Sequence, residues 1–293
     1  MMAKRRKLRP WSNTASMSGW AESTYAELSW DKARSAASRW AMFGIVIGAL
    51  VALVVFAPAA WLARAVASAT KGHVQLADAR GTVWSGSAVA VLTGGEGSRD
   101  ASALPGRIEW TLAWRGLAFE LQARHACCLN GAPRLRLQPG LGRVRVTLAP
   151  GTDWIGQWPT AWLGGLGTPW NTLQLGGTLR LISPGLTLES AQGRWSVSGK
   201  ADLELLDVSS RVSTLNTLGS YRLTLTSDAA GTSQLSLKTQ QGPLQLTGDG
   251  SIGLGGVRFR GEARAGEGDE AALSNLLNII GRRDGARSVI SIG

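Results

Sequence analysis

Histidine, tyrosine and cysteine each occur only twice in the 293 residues, and charged residues make up 17%, against about 25% in an average soluble domain. With His73 and His125 as the only imidazoles, no Ser–His–acid arrangement can be argued from the residues, and no pair of carboxylates stands out for acid–base work. No catalytic residue, cofactor, small-molecule substrate or metal is therefore expected. The net charge is +11, but Arg residues beyond the N-terminal third are scattered among apolar alternation. A nucleic-acid binder would mass them on one element with aromatics between, so nucleic acid is not an expected partner.

Two phosphate-loop lookalikes fail on context. Gly248-Asp249-Gly250-Ser251-Ile252-Gly253 has the G-x-G-x-x-G letters, yet it leads into the strand-like Val257–Arg260. Dinucleotide binding needs the third glycine to open a helix, so a β-turn is the expectation here. Gly199-Lys200 is followed by Ala201 and lacks the metal-binding hydroxyl of a phosphate loop.

What the chain does have is glycine (38), tryptophan (13) and one long apolar run. Trp40 to Leu62 carries no charge. As a helix its 23 residues would extend about 34 Å, enough for a ~30 Å hydrocarbon core. Trp40 and Trp61 stand near its ends, where indoles favour the membrane interface. Residues 1–39 carry eight Lys/Arg against three acids, whereas only Arg64 and Lys71 closely follow the run. That bias predicts a cytoplasmic N-terminus and a domain beyond the inner membrane. A cleaved signal would have a shorter apolar region than this and a shorter tail. Gly44 and Gly48 form a G-x-x-x-G pair that suits close helix contact. The expected organisation is a basic, disordered tail over 1–39, a transmembrane helix over 40–62 and a β-rich periplasmic domain over 63–293.

Period-two alternation fills that last segment. Val144, Val146 and Leu148 alternate with Arg143, Arg145 and Thr147; Tyr221, Leu223 and Leu225 alternate with Arg222, Thr224 and Thr226. Similar runs lie around Leu179–Leu181, Leu203–Leu205, Leu235–Leu237, Leu244–Leu246 and Val257–Phe259. Short turn-rich spacers favour antiparallel hairpins. One helix is expected from Asp269 to Ile280, with Leu273, Leu276, Leu277 and Ile280 on one face and Gly281 as its stop. A single short helix cannot cover so many strands. The fold class is thus mainly β: a transmembrane helix, then a curved antiparallel sheet or sandwich-like domain with a short C-terminal helix.

Trp154, Trp158 and Trp162 have the i, i+4, i+8 spacing of a helical stripe, although Pro159, Gly164 and Gly165 oppose a helix. A tryptophan-rich core plug is favoured over a membrane- or partner-facing patch. His125, Cys127 and Cys128 could coordinate a metal only with a fourth ligand that the spacing does not supply. On a regular strand the adjacent cysteines would point to opposite faces. At a turn, which Asn130-Gly131 suggests, they could form a vicinal disulfide; the residues leave bridge and free thiols equally open.

Several short segments resemble the type II secretion system protein N (general secretion pathway protein N) family: Gly81-Thr82-Val83-Trp84-Ser85-Gly86; Leu218-Gly219-Ser220-Tyr221; Gly242-Pro243-Leu244; Phe259-Arg260-Gly261; and Gly281-Arg282-Arg283. Their order and spacing agree over roughly residues 75–293. The resemblance implies an inner-membrane accessory subunit of the machinery that exports folded periplasmic proteins, with other secretion subunits and membrane lipid as partners. It implies no catalytic residue. The motif residues have a structural explanation: glycines for turns, Trp84 for packing, Gly281 for ending the helix. A scaffold is therefore expected, and a lipid-handling module with an apolar trough is the alternative.

Overall fold

A computed structural model of the chain describes residues 40–151, 153–191, 194–227, 233–253 and 256–292. The tail expected over 1–39 lies outside the described residues. The chain divides into two compact units, Met1–Val55 and Phe56–Gly293.

In the first unit residues 40–55 form helix α1, and every one of them is exposed. The apolar run does not continue as one helix to Leu62. Pro58 has no N–H and adopts an extended backbone, with φ −69° and ψ 146°, and it forms an isolated β-bridge with Thr82. Helix α2 (Ala59–Ala69) then starts afresh. Among the described residues no helix is long and apolar enough to cross a membrane.

The second unit is built on one 16-stranded antiparallel sheet. Its first seven strands are β1 (Val74–Gly81), β2 (Ser85–Thr93), β3 (Ala101–Ala103), β4 (Ile108–Arg115), β5 (Ala118–Arg124), β6 (Arg134–Gly140) and β7 (Arg143–Leu148). After β8 (Trp154–Pro159), a 3₁₀ turn (Thr160–Leu166) and the short helix α3 (Trp170–Leu173) come two long strands, β9 (Leu175–Ala191) and β10 (Arg194–Ser210). Next are β11 (Gly219–Ser227), β12 (Ser233–Gln241), β13 (Leu244–Gly253) and β14 (Gly256–Ala265). Helix α4 (Glu270–Ile280), β15 (Arg282–Asp284) and β16 (Arg287–Ile292) complete it. The strands follow one another as a meander from β1 to β16, with β15 as the last; β3 branches from β2 and β8 from β9.

The spine is the β9–β10 hairpin. Seventeen residues per strand extend about 55 Å, which leaves room for β8 and β7 to pair in succession along β9. Pro184 would break so long a strand, but it sits at a bulge where the register slips between Ile182 and Gly185. There Ser183 Oγ donates to Lys200 O at 2.6 Å and accepts from Gly185 N at 3.2 Å. The side chain thus supplies bonds that the ladder lacks.

Register places the apolar residues of successive strands opposite one another. Leu137 faces Val146, which faces Leu188, which faces Val197; Leu203 faces Leu223, which faces Leu237. This gives one apolar sheet face, covered in patches. Helix α4 buries Leu273, Leu276 and Leu277 against Val208, Leu218, Tyr221, Leu244 and Ala263. Helix α2 brings Ala59 and Leu62 onto Ala88, Trp110 and Leu121. A third cluster joins Ala90, Leu104 and Cys128 to Trp158 and Trp162.

Trp154 and Trp158 lie on β8, and Trp158 stacks on Trp162 of the 3₁₀ turn with ring centroids 6.4 Å apart, both packed against Ala90, Leu104 and Cys128. Two expectations change in detail. The Gly248–Gly253 segment is strand rather than turn. A Cβ at Gly248 would come within 2.5 Å of the Phe259 ring and one at Gly250 within 2.4 Å of Arg258 O, so the glycines make room for β14. Gly281 does end α4, but with φ −170°, extended backbone open to any residue. Its need for glycine is spatial, because a Cβ would meet Val289 O at 2.5 Å.

Candidate interaction surface

Three of the family-like segments gather at two places, while Phe259–Gly261 lies on β14 and Gly281–Arg283 at the end of α4 and on β15. At the first, Gly81 (φ +88°) turns the chain from β1 into β2, and Thr82 N–H bonds to Ser85 O at 2.8 Å. Gly86 admits the Trp110 ring, which a Cβ would approach to 2.6 Å. Trp110 Nε1 donates to Val83 O at 3.1 Å, and Val83 N–H donates to Ala57 O at 2.9 Å. The turn therefore clamps the strand-like segment that leads into α2. Trp84 is half-buried and tilts against Phe119, with centroids 6.3 Å apart.

At the second place two glycine backbones cross. A Cβ on Gly242 (φ +118°) would lie 2.2 Å from Gly219 Cα and 2.6 Å from Leu218 O. The buried Tyr221 hydroxyl lies 3.0 Å from Leu218 O and 3.1 Å from Leu244 O and donates to these carbonyls. Burial pushes this phenol's pKa well above its ordinary value, so it stays a neutral donor at every working pH. Pro243 O accepts from Gly266 N–H at 2.6 Å, tying the β12–β13 turn to the approach to α4. These residues build the fold, and Gly81, Ser85 and Gly86 of the first place also line an open surface depression.

Outward-facing chemistry lies elsewhere. The polar sheet face carries ion pairs, most of them cross-strand. Glu204, 8% exposed at its side chain, meets Arg222 at 2.6 Å and Arg180 at 3.9 Å across three adjacent strands. Arg145 pairs with Glu189, and Glu262 with both Arg264 and Arg287. The Arg264 hydrogen bond first, and then the neighbouring Arg287, hold the Glu262 carboxyl below the usual range. Asp78 is likewise depressed, by Arg80 and then Arg107. Beside the first motif, an open depression of about 410 Å³ is lined by Arg80, Glu109, Trp110, Gln122 and Arg124 among others. Glu109 and Arg124 are cross-strand partners there. This is a shallow charged surface that could meet a partner's polar groups.

Two strands end the meander with one side each unpaired among the described residues, β1 and β15. All three residues of β15, Arg282, Arg283 and Asp284, are exposed. Such edges offer backbone N–H and C=O groups to another chain. Sequence reading placed Arg282 in a motif and could not place it on an edge strand. The two tryptophans expected at a membrane interface separate: Trp40 begins the described part of α1 and is 75% exposed, while Trp61 lies on α2 and is 43% exposed.

Cys127 and Cys128 are joined as a vicinal disulfide at a turn before the bridge residue Leu129. His125 is buried and its Nδ1 lies 3.2 Å from Cys127 Sγ, so the turn brings together the three residues singled out from the sequence. His73 stands apart, its Nδ1 2.9 Å from Thr70 O.

No curated protein and no solved structure matches the chain significantly. The model of one family, type II secretion system (T2SS) protein N, matches residues 72–290, a span that includes both motif clusters, the β9–β10 spine and α4. The chain therefore belongs to the type II secretion system protein N family.

Proposed function

We propose that this protein is a non-enzymatic accessory subunit of the type II secretion system, anchored in the inner membrane by α1, with its β domain in the periplasm as a scaffold for other subunits. Family membership carries the role in secretion. The anchor rests on the chemistry of α1. Eleven large apolar side chains between Trp40 and Val55 are each 46–75% exposed. At roughly 1–2 kcal/mol gained per side chain on burial, lipid would stabilise this helix by an amount on the order of 10–20 kcal/mol. Helix α1 over residues 40–55 measures about 24 Å, short of the ~30 Å hydrocarbon core by a mismatch that local bilayer thinning accommodates. The cationic excess before it favours a cytoplasmic N-terminus.

The β domain supports partner binding through its edges and its charged face rather than through a reaction centre. A second reading, lipid handling, draws on the apolar sheet face: Leu186, Leu188, Leu203, Leu223 and Leu235 are only half-buried and lie outside the three core clusters. Affinity purification of the full-length protein from native membranes separates the two, with proteins and lipids both identified by mass spectrometry. Recovery of other secretion subunits with bulk lipid alone supports the scaffold. One lipid held per chain, without secretion partners, overturns it in favour of the carrier.

A further inference from the structure

His125, Cys127 and Cys128 present their ligand atoms within 4.8 Å of one another, and we propose that the vicinal pair is a reducible site whose dithiol form binds a thiophilic cation, with His125 as third donor. The sequence spacing argued against a metal because it supplies no fourth ligand. The chain is in a turn here, and the turn turns both sulfurs to one side.

Three features prepare the site. Cys127 is exposed while Cys128 is 3% exposed, so one sulfur is reachable by a reductant and the other is fixed in the core beside Ala90 and Leu104. Cys127 N–H lies 3.3 Å from His125 Nδ1, and the same Nδ1 lies 3.2 Å from Cys127 Sγ, so ligation through Nδ1 would exchange this long backbone hydrogen bond for a metal–nitrogen bond. His125 is 6% exposed and its Nε2 has no hydrogen-bond partner. The ring fits because Gly106 lies against it: a Cβ there would stand 3.3 Å from the imidazole.

The chemistry balances with a protein or small-molecule dithiol as reductant. Two electrons and two protons pass to the Cys127–Cys128 bond, giving two thiols, while the reductant closes its own disulfide. Binding a divalent thiophilic cation then releases both thiol protons and leaves two thiolates and one imidazole as ligands. A fourth position stays open to water or to a partner's side chain, as in three-ligand metal sites. Oxidation removes both sulfur ligands and ejects the cation, so occupancy reports the redox state of its surroundings.

The test uses full-length protein in detergent, reduced with tris(carboxyethyl)phosphine and titrated anaerobically with Cd²⁺. Ultraviolet thiolate-to-metal charge transfer and bound metal after desalting are read together. One Cd²⁺ per chain is expected for the reduced protein and none for the oxidised. The C127S/C128S double variant should bind none, and H125Q should bind more weakly while still showing the thiolate band. Circular dichroism establishes that each variant is folded. The proposal is overturned by a disulfide that resists reduction in the folded chain, by reduced wild type binding no more Cd²⁺ than C127S/C128S, or by H125Q binding as tightly as wild type.

Discussion

Replacing Gly242 by alanine should destabilise the β domain far more than the same change at Gly97, and the difference isolates a backbone crossing. Both glycines have positive φ, +118° and +78°. At Gly97 nothing lies within 4 Å of the added Cβ. There the left-handed backbone costs alanine about 1–2 kcal/mol, partly offset by the ~0.4–1 kcal/mol that a less flexible unfolded chain returns. A net loss of about 1 kcal/mol follows. At Gly242 the Cβ would also stand 2.2 Å from Gly219 Cα, 2.6 Å from Leu218 O and 2.9 Å from Gly219 N. These are backbone atoms of a segment held by Leu244 N–H to Leu218 O and by Tyr221. Relief requires moving the β10–β11 connection, an overpacking cost of roughly 1–3 kcal/mol or more. G242A should therefore lose about 3 kcal/mol in total. Equilibrium urea unfolding of the full-length protein, followed by tryptophan fluorescence, measures both variants. Equal stabilities for G242A and G97A would refute the reasoning.

Leu276→Ala removes a side chain that is 1% exposed between α4 and the sheet, and about 3 kcal/mol should be lost in the same urea assay. Glu204→Gln leaves Arg222 and Arg180 beside an uncharged amide. Because Arg222 is 47% exposed at its side chain, the expected loss is only about 1–2 kcal/mol, and it should shrink in high salt. The folded-state pKa of Glu262 is depressed, so its stabilisation is present above the ordinary glutamate value of about 4.3 and is lost as pH falls toward the folded value. E262Q should flatten stability against pH in that acidic window alone. His125 is also depressed, by burial. Below about pH 6.5 the unfolded chain takes up the proton first, so stability falls there; H125Q should remove that slope, read by thermal unfolding between pH 5 and 8 (roughly the imidazole range).

Much of the fold was written in local pattern. Alternation around Val144–Leu148 and Tyr221–Leu225 became β7 and β11, and the spacing of Leu273, Leu276 and Leu277 became the buried face of α4. Such signals need only neighbours in sequence. Features set by distant neighbours were not legible. Gly248 and Gly250 read as a turn because nothing in the sequence announces the Phe259 ring of the next strand. Nothing local shows that Ser183 bridges a bulge so that β9 continues past Pro184. The apolar run looked continuous to Leu62, whereas Pro58 bonds across to Thr82 and gives residues beyond it to the β domain. For the surface, Asn130-Gly131 suggested the turn and left the Cys127–Cys128 bridge open, while the approach of His125 Nδ1 to Cys127 Sγ depends on how the turn packs. It gave no hint that Arg282 and Arg283 would sit on an edge strand.

The central claim is that this β domain serves secretion by pairing with other subunits of the system. A photo-crosslinking amino acid placed in living cells at Arg283 on the β15 edge, and separately at Leu188 on the apolar face, tests it most directly. Mass spectrometry of the adducts from Arg283 should identify other type II secretion subunits, and Leu188 should yield none above background. Lipid adducts at Leu188 with no protein adduct at Arg283 would contradict the account.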